Sequence, residues 1–288
     1  MKICGISDIH GDLNIDIPEC DVLCICGDVI NLNDQRDMPA SKKWWESRFI
    51  KWIEKLPCKK IIVVPGNHDY FLYRMYTQEV WSWFKDRMRL LSNFKIEFLL
   101  DELYEYEGIT FYGTPWIEPI EFQEGRWAFE HPEGDEHYAK IPKCNVLITH
   151  DNPYKNNKLK YYCWNGNYHL FGHWHNGSDS PIQGRFNCSI LDDMYNRKKK
   201  FKCVIIDIMT EAQKKKIEQD FLKELLIQIK CDPLFTLPSS NIIDEHNKKI
   251  ISLLESFEDE DGPVLEDTIP WEHPMEDVDS AIITDFNN

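Results

Sequence analysis

The stretch KIIVVPGNHD at residues 60–69 joins an apolar, β-branched run to a short polar loop. The run at residues 60–64 is typical of a buried strand, and the Pro-Gly pair after it ends that strand. Asn67, His68 and Asp69 therefore stand just past the carboxyl end of a predicted strand. In open α/β sheets, ligands bind along this edge. The stretch thus predicts an α/β fold and a polar site together.

Four other apolar runs end in the same way. The runs cover residues 2–7, 21–26, 146–149 and 168–171, and each is followed by side chains that can bind a metal ion. Those side chains are Asp8, His10, Asp28, His150, His173 and His175. With Asn67 and His68, five strand ends would deliver eight polar groups to one cleft. Their convergence predicts a functional site at the sheet edge.

The segments between these runs complete an α/β pattern. Apolar residues recur at helical spacing over residues 41–56, with Ser41 as the expected N-cap, and over residues 71–91. Further strands are expected at residues 98–106, 109–113, 185–191 and 202–208, and a helical stretch near Trp127. Strands alternating with helices predict an α/β domain.

The donor types of the eight groups suit divalent transition metals. Imidazole nitrogen and carboxylate oxygen are ligands for Mn²⁺, Fe or Zn²⁺. Because the motifs contain no Cys, they do not favour a structural zinc site. One carboxylate can bridge two ions about 4 Å apart, and such a pair clamps the attacking and leaving oxygens of an in-line displacement.

Five motifs carry a family resemblance. In chain order they are Asp8-Ile9-His10, Gly27-Asp28, Gly66-Asn67-His68-Asp69, Thr149-His150 and Gly172-His173-Trp174-His175. In this order and spacing they resemble the calcineurin-like metallophosphoesterase superfamily, across residues 1 to about 208. The resemblance implies a four-layer α/β/β/α sandwich of two mixed β-sheets flanked by helices. To this fold the sequence adds a C-terminal helical appendage.

The resemblance also implies a role for each motif residue. A first ion would be held by Asp8, His10 and His175, and a second ion by Asn67, His150 and His173. Asp28 would bridge the two ions. His68 would lie over the phosphoryl group and either protonate the leaving oxygen or stabilise the developing charge, and Asp69 would orient the His68 imidazole. We expect two divalent ions, with Mn²⁺ first and Fe, Zn²⁺, Ni²⁺, Co²⁺ or Mg²⁺ as alternatives, and attack by a bridging hydroxide.

A narrower resemblance concerns the substrate. Residues 113–116, Trp127, and residues 147–150, 169–173 and 186–195 are similar to the metallophosphoesterase-domain-containing branch, which is grouped with class III cyclic nucleotide phosphodiesterases. This implies small phosphodiesters or phosphomonoesters, including 2′,3′-cyclic nucleotides. Asn67 and His68 would contact this substrate. Trp116 and Arg126 are candidate contacts for a base and a phosphate, although simple packing and a surface ion pair explain them as well.

Charge and composition limit the partners and the compartment. Twelve acidic residues and no Lys or Arg lie in residues 255–288, so much of the formal net charge of −16 is local. Without a basic surface, long nucleic acid is not the expected partner. No stretch approaches the roughly 20 apolar residues of a membrane span, and no secretory signal is visible. The ten Cys form no CxxC pair, which favours reduced thiols in a cytoplasmic protein.

Three parts of the chain are expected. Residues 1–208 would form the metallophosphoesterase domain, residues 209–257 a helical extension, and residues 258–288 an acidic, poorly ordered tail. The tail could bind a basic partner, cover the cleft, or add solubility only.

Two other functions remain open at this stage. One is a nuclease of the same superfamily, which the acidic balance of the chain disfavours. The other is a non-catalytic scaffold with this fold. Retention of every motif residue, including His68, argues against a scaffold.

Overall fold

The computed structural model describes residues 1–131, 136–177, 184–199 and 203–231, with side chains as far as residue 223. Residues Met1–Ile208 belong to one compact unit. The strands among its described residues form two five-stranded sheets, in the orders β10-β1-β2-β3-β4 and β5-β6-β7-β8-β9. The first sheet is built from β1 (Lys2–Ile6), β2 (Cys20–Cys26), β3 (Cys58–Val64), β4 (Ile96–Phe98) and β10 (Val204–Asp207). The second is built from β5 (Glu102–Tyr106), β6 (Ile109–Thr114), β7 (Cys144–Thr149), β8 (Gly166–Phe171) and β9 (Arg185–Asn187).

Both sheets are mixed. In the first, β1 to β4 are parallel and β10 is antiparallel to β1. In the second, β6 to β9 are parallel and β5 is antiparallel to β6. Because parallel neighbours share a direction, the carboxyl ends of β1, β2 and β3 meet at one edge, as do those of β7 and β8.

The core has two layers that follow the alternation of strand side chains. Along β2, Val22 and Cys24 belong to the apolar cluster that also contains Phe111 and Ile148 of the second sheet. Leu23, in the same strand, belongs to the cluster that contains the helical aromatic residues. Strands buried on both faces read as continuous apolar runs, which is the pattern of β2 and β3. The predicted fold, two mixed sheets flanked by helices, is confirmed.

Helices cover the outer faces. They are α1 (Met38–Lys43), a π-helical segment (Trp44–Phe49), α2 (Ile50–Ile53), α3 (Tyr70–Thr77), α4 (Trp81–Leu91) and α5 (Asn157–Tyr162). Short 3₁₀ turns cover Tyr138–Lys140 and Cys163–Asn165. The first helix begins earlier than predicted, since Asp37 rather than Ser41 is its N-cap and accepts from the Ala40 N–H. Ser41 instead donates its hydroxyl to the Asp34 carbonyl.

Left-handed residues explain three further differences from the sequence prediction. The expected helix over residues 71–91 divides into α3 and α4, with Glu79 at φ 58° between them. The expected strand over residues 98–106 divides at Asp101, φ 53°, and its halves join different sheets. Near Trp127 the chain forms turns, with Phe122 and Phe129 at positive φ. Such residues interrupt regular structure without a glycine to announce it.

A second unit begins at Met209, and α6 (Glu211–Cys231) is its described part. The rest of the predicted helical extension, residues 232–257, and the acidic tail, residues 258–288, lie outside the described residues. Among the residues that are described, no helix is long and apolar enough to cross a membrane. The described cysteines are free thiols, and all except Cys203 are buried.

Candidate metal centre

The site is built on strained backbone at the ends of three strands. Asp8 follows β1, Asp28 follows β2 and His173 follows β8, with φ of 54°, 53° and 62°, and His10 has φ 40°. Residues with a side chain seldom occupy this left-handed region, and such strain clusters at functional sites. Backbone bonds hold the first two ends together, since Asp8 N–H donates to the Gly27 carbonyl and His10 N–H to the Asp28 carbonyl, both at 3.0 Å.

Two glycines allow these loops to approach closely. Gly27 has φ 97°, and a β-carbon on it would lie 2.2 Å from His150 Nδ1. A β-carbon on Gly66 would lie 2.3 Å from Asp28 Oδ1 and 2.8 Å from His150 Cε1. Glycine at both positions therefore lets the loops after β2, β3 and β7 meet around Asp28.

On one side, Asp8 lies at the centre of a first group. His175 Nε2 is 3.2 Å from Asp8 Oδ1, and the His10 and His175 rings are 5.5 Å apart. Ser189 Oγ donates to Asp8 Oδ2 at 2.6 Å. The other ring nitrogen of His175 lies 2.9 Å from the Asp192 carbonyl oxygen, so Nε2 is the nitrogen that faces the centre.

Asp28 lies between two sets of imidazoles. Its Oδ2 is 3.7 Å from His10 Nε2 and 3.8 Å from His68 Nε2, whereas its Oδ1 is 3.4 Å from His150 Nε2. The Asp28 side chain is 2% exposed. Each carboxylate oxygen therefore faces a different group of donors.

On the far side, His150 lies at the centre of a second group. Its Nε2 is 2.8 Å from Asn67 Oδ1, and its ring is 5.0 Å from that of His173. The Cys26 carbonyl accepts from His150 Nδ1 at 2.8 Å. This bond fixes the tautomer, so that Nε2 is turned toward Asn67 and Asp28.

Among the described residues, three groups have ligand atoms close enough to hold a metal ion. They are Asp8, His10 and His175; His10, Asp28 and His68; and Asp28, His150 and His173. The first and third groups contain the ligands expected for two ions, and Asn67 lies beside the third. The structure thus brings all seven predicted ligands together.

The charges and unsatisfied atoms of the site fit a cation. Neither ring nitrogen of His10 has a hydrogen-bond partner among the described residues, although both are buried, and burial lowers the pKa of His10 to about 4. Burial also opposes charge on His150, but Asp28 raises the pKa of that imidazole to about 10. Buried carboxylates here attract positive charge, and a neutral imidazole without a partner is a free ligand.

His68 lies at the mouth of the centre and is held by residues other than the one predicted. Its Nδ1 lies 2.6 Å from Gln35 Oε1, and the Trp127 ring is 4.6 Å from its ring. Asp69 instead accepts backbone N–H groups of Val29, Ile30 and Gly66 at 2.8–3.1 Å. The prediction that Asp69 orients the imidazole is wrong in this geometry, because its carboxylate joins the loops after β2 and β3.

Burial and the Asp28 charge raise the pKa of Asp69 to about 7. Burial also lowers the pKa of His68.

A cavity of about 210 Å³ opens above the centre. It is lined by Asp28, Asn67, His68, Ile120, Gln123, Trp127, His173, His175, Asp193 and Tyr195. Sequence reasoning did not assign a site role to five of these residues, although Trp127 and residues 186–195 contributed to the branch resemblance. The five are Ile120, Gln123, Trp127, Asp193 and Tyr195.

The two remaining substrate candidates are not in this lining. Trp116 is buried, donates its indole N–H to Asp101 Oδ2 at 2.8 Å and stacks on His137 with ring centres 3.8 Å apart. This position excludes a direct substrate contact in this conformation. Arg126 has an exposed side chain, and its carbonyl accepts from Arg36 and Tyr70. The neighbouring Trp127 does line the cleft.

A two-sheet sandwich with this His, Asp and Asn centre defines a metallophosphoesterase. The family model described as calcineurin-like phosphoesterase matches residues 1–177, and the chain belongs to that family. The match covers the motifs of β1, β2, β3, β7 and β8. Proteins of this family are, as a class, metal-dependent phosphoesterases.

Curated relatives carry the same domain. The chain is 28% identical over 168 residues to metallophosphoesterase domain-containing protein 1 of Homo sapiens, covering 51% of this chain and 47% of that protein. The protein of the same name from Mus musculus matches with the same figures. The chain therefore spans about half the length of these relatives.

The comparison with solved structures gives a match at low identity. Phosphopantetheinyl hydrolase of Mycobacterium tuberculosis matches with a TM-score of 0.43 and 14% identity, covering 74% of this chain and 97% of that one.

Proposed function

We propose that this protein hydrolyses small phosphodiesters or phosphomonoesters at a centre of two divalent metal ions, with Mn²⁺ as the first candidate. The observation that carries the proposal is the position of Asp28, whose two oxygens face different donor groups. Asp8, His10 and His175 would hold one ion, and Asn67, His150 and His173 the other. Bound there, the ions would supply Lewis acidity and an activated water.

The chain's own residues would prepare the site and complete the reaction. The Cys26 and Asp192 carbonyls fix the tautomers of His150 and His175, so that both Nε2 atoms face the centre. Asp69 holds the loops that carry Asp28 and His68. The His68 ring, at the cleft mouth, would contact the phosphoryl group and give a proton to the departing oxygen.

The cleft lining supports a small anionic substrate. None of the described residues that line it is Lys or Arg, and two are Asp. A phosphate could approach this acidic surface only with its charge neutralised by cations. The volume of about 210 Å³ accommodates a phosphate group with a small organic part. Trp127 and Tyr195 offer aromatic surface to that part, which suits a nucleoside such as a 2′,3′-cyclic nucleotide.

The proposal is tested with chelator-stripped protein reloaded with Mn²⁺. Hydrolysis of bis-p-nitrophenyl phosphate and p-nitrophenyl phosphate is measured for the wild type and for Asp28→Asn. Asp193→Asn is the matched control, because Asp193 lines the cleft but is exposed and outside the ligand groups. We expect Mn²⁺-dependent turnover that Asp28→Asn abolishes and Asp193→Asn retains. Absence of turnover with Mn²⁺, Fe²⁺, Zn²⁺, Ni²⁺ and Co²⁺ would favour a non-catalytic role instead.

A further inference from the structure

We propose that Gln35 is the positioning residue of His68, a role that rests on the proposed hydrolysis. Gln35 Oε1 lies 2.6 Å from His68 Nδ1. Within the described part of the chain, it is the side chain that hydrogen-bonds this ring. An amide oxygen can only accept a hydrogen bond, so Nδ1 carries the proton and donates a hydrogen bond to Gln35 Oε1. Nε2 is then the nitrogen turned toward Asp28 and the cleft.

The loop that carries Gln35 is ordered by its own hydrogen bonds. Asn31 Nδ2 donates to Asp34 Oδ2 at 2.7 Å, and Asp34 N–H donates to Asn31 Oδ1 at 3.0 Å. Ser41 and Asp37 then tie this loop to the first turn of α1. A side chain on such a braced loop can hold the imidazole at a fixed angle, since little rotational freedom remains to be lost.

A face of the His68 imidazole is also covered, in addition to the Nδ1 edge that Gln35 contacts. The Trp127 ring lies 4.6 Å from the His68 ring, and the Arg36 guanidinium lies 5.4 Å from the Trp127 ring and 4.2 Å from the Tyr70 ring. Arg36, next to Gln35, donates to the Arg126 carbonyl at 3.1 Å. Residues 35 and 36 therefore fix His68 from the ring edge and, through Trp127, from the ring face.

This arrangement serves one proton transfer. As the P–O bond to the leaving group breaks, the Nε2–H bond of the imidazolium breaks and an O–H bond forms, so the leaving group departs as an alcohol or phenol. The neutral imidazole keeps its proton on Nδ1, hydrogen-bonded to Gln35 Oε1, and Nε2 takes up a new proton from water. An acceptor at Nδ1 is compatible with both protonation states, so Gln35 need not move during the step.

A change in leaving group separates this role from a merely structural one. Methyl p-nitrophenyl phosphate releases a weakly basic phenolate that departs without a proton, whereas methyl phenyl phosphate releases a more basic one. We compare the Mn²⁺-loaded wild type with Gln35→Met, which is similar in size but lacks the acceptor. The loss in kcat on methyl phenyl phosphate should exceed that on the nitrophenyl ester by about 10-fold or more, since general acid catalysis contributes about 10²- to 10⁴-fold. KM should change little on either.

Two variants and one control complete the kinetic test. Gln35→Glu keeps an acceptor and should restore most of the rate on methyl phenyl phosphate. Gln35→Met should add nothing further in a His68→Ala background, because the two residues act as a unit. Gln78→Met, which makes the same change at an exposed glutamine outside the cleft lining, should leave the ratio of the two rates unchanged. Equal losses on both esters, or additive effects with His68→Ala, would overturn the role of Gln35.

A spectroscopic measurement tests the contact without turnover. In ¹⁵N-histidine-labelled protein, the His68 signals, identified by their loss in His68→Ala, should show a protonated Nδ1 in the wild type. Gln35→Met should remove that preference. An Nε2-protonated His68 in the wild type would overturn the inference even if hydrolysis is observed. A wild type that hydrolyses neither methyl ester with any metal, yet shows the Nδ1–H signal, would contradict the proposed function and leave Gln35 with a structural role only.

Discussion

Two clusters of carboxylate and histidine side chains lie in the same domain and differ in how their hydrogen bonds are satisfied. The first is the metal centre. The second, the Asp101 cluster, consists of Asp101, Thr114, Trp116 and His137. In it, Thr114 Oγ1 donates to Asp101 Oδ1 at 2.6 Å, and Trp116 Nε1 and His137 Nδ1 lie 2.8 Å from Oδ2. In the metal centre, both ring nitrogens of His10 lack a partner among the described residues.

The difference separates stability from function. A buried polar group without a partner costs about 1–3 kcal/mol, and two such nitrogens on one imidazole beside buried carboxylates fit a ligand. In the Asp101 cluster the polar groups hydrogen-bond to one another. Asp101 lies where the chain passes from the first sheet to the second. In the metal centre, the His10 ring nitrogens have no hydrogen-bond partner among the described residues and are available to a ligand.

The largest expected effect comes from Asp28→Asn. This change keeps the shape of the side chain but removes its negative charge. It also leaves an oxygen for the backbone N–H of His68, which in the wild type donates to Asp28 Oδ1 at 2.8 Å. We expect Mn²⁺-dependent hydrolysis of bis-p-nitrophenyl phosphate to fall by about 100-fold or more. Without metal, the free energy of unfolding in urea should fall at neutral pH, because Asp28 is the charge that raises the pKa of His150, and the change removes that partner. A metal-free Asp28→Asn protein as stable as the wild type at neutral pH would contradict this account of Asp28.

Changes in the Asp101 cluster should lower stability and leave hydrolysis almost unchanged. Asp101→Ala leaves the Trp116 indole and the Thr114 hydroxyl without their acceptor, and we expect the free energy of unfolding to fall by about 3 kcal/mol. Once folded, the variant should keep kcat within about twofold, because Asp101 lies outside the residues that line the cleft. Asp101→Asn, which retains one acceptor oxygen and tolerates the left-handed backbone, should lose less. A stable but inactive Asp101→Ala protein would show that the cluster serves the chemistry.

Metal addition should stabilise only through the first cluster. At a Mn²⁺ concentration 100 times the dissociation constant, the wild type should gain about 2.7 kcal/mol per site, seen as a rise in Tm. Asp101→Ala should gain a similar amount from its lower starting point, whereas Asp28→Asn should gain much less. An equal rise in all three proteins would indicate nonspecific metal binding.

The smallest effect distinguishes the two tryptophans. Trp127→Ala should raise KM for aryl esters several-fold and cost little stability, because Trp127 is only partly buried and faces the cleft. Trp116→Ala should leave KM unchanged and lower the free energy of unfolding by about 3–5 kcal/mol, the usual cost of truncating a core tryptophan. A higher KM in Trp116→Ala and an unchanged KM in Trp127→Ala would instead identify Trp116 as the substrate contact, the candidate named from the sequence.

The same contrast explains what the sequence could reveal. Asp8, Asp28, Asn67 and His150 each follow a continuous apolar run, and strand ends converge by geometry alone, so the fold and the gathering of the ligands could be predicted. Nothing comparable marks Gln35, which stands in an irregular loop seven residues past Asp28. Its role depends on how that loop folds back onto the α3 side of the cleft.

Two wrong predictions have the same physical origin. Asp69 follows His68 directly, yet adjacent residues at the start of a helix point in different directions, and its carboxylate reaches three backbone N–H groups instead. The aromatic residues near Trp127 resemble a helix in composition, but Phe122 and Phe129 adopt positive φ. Tertiary contacts decide such positions, and local patterns do not record them.

The central claim is that the cleft binds two metal ions through Asp28. The most direct measurement is the number of Mn²⁺ ions bound per chain after equilibrium dialysis of chelator-stripped protein, for the wild type beside Asp28→Asn and Asp193→Asn. The account predicts two ions for the wild type and for Asp193→Asn, and fewer than two for Asp28→Asn. One ion or none in the wild type, or two in Asp28→Asn with unchanged affinity, would contradict it.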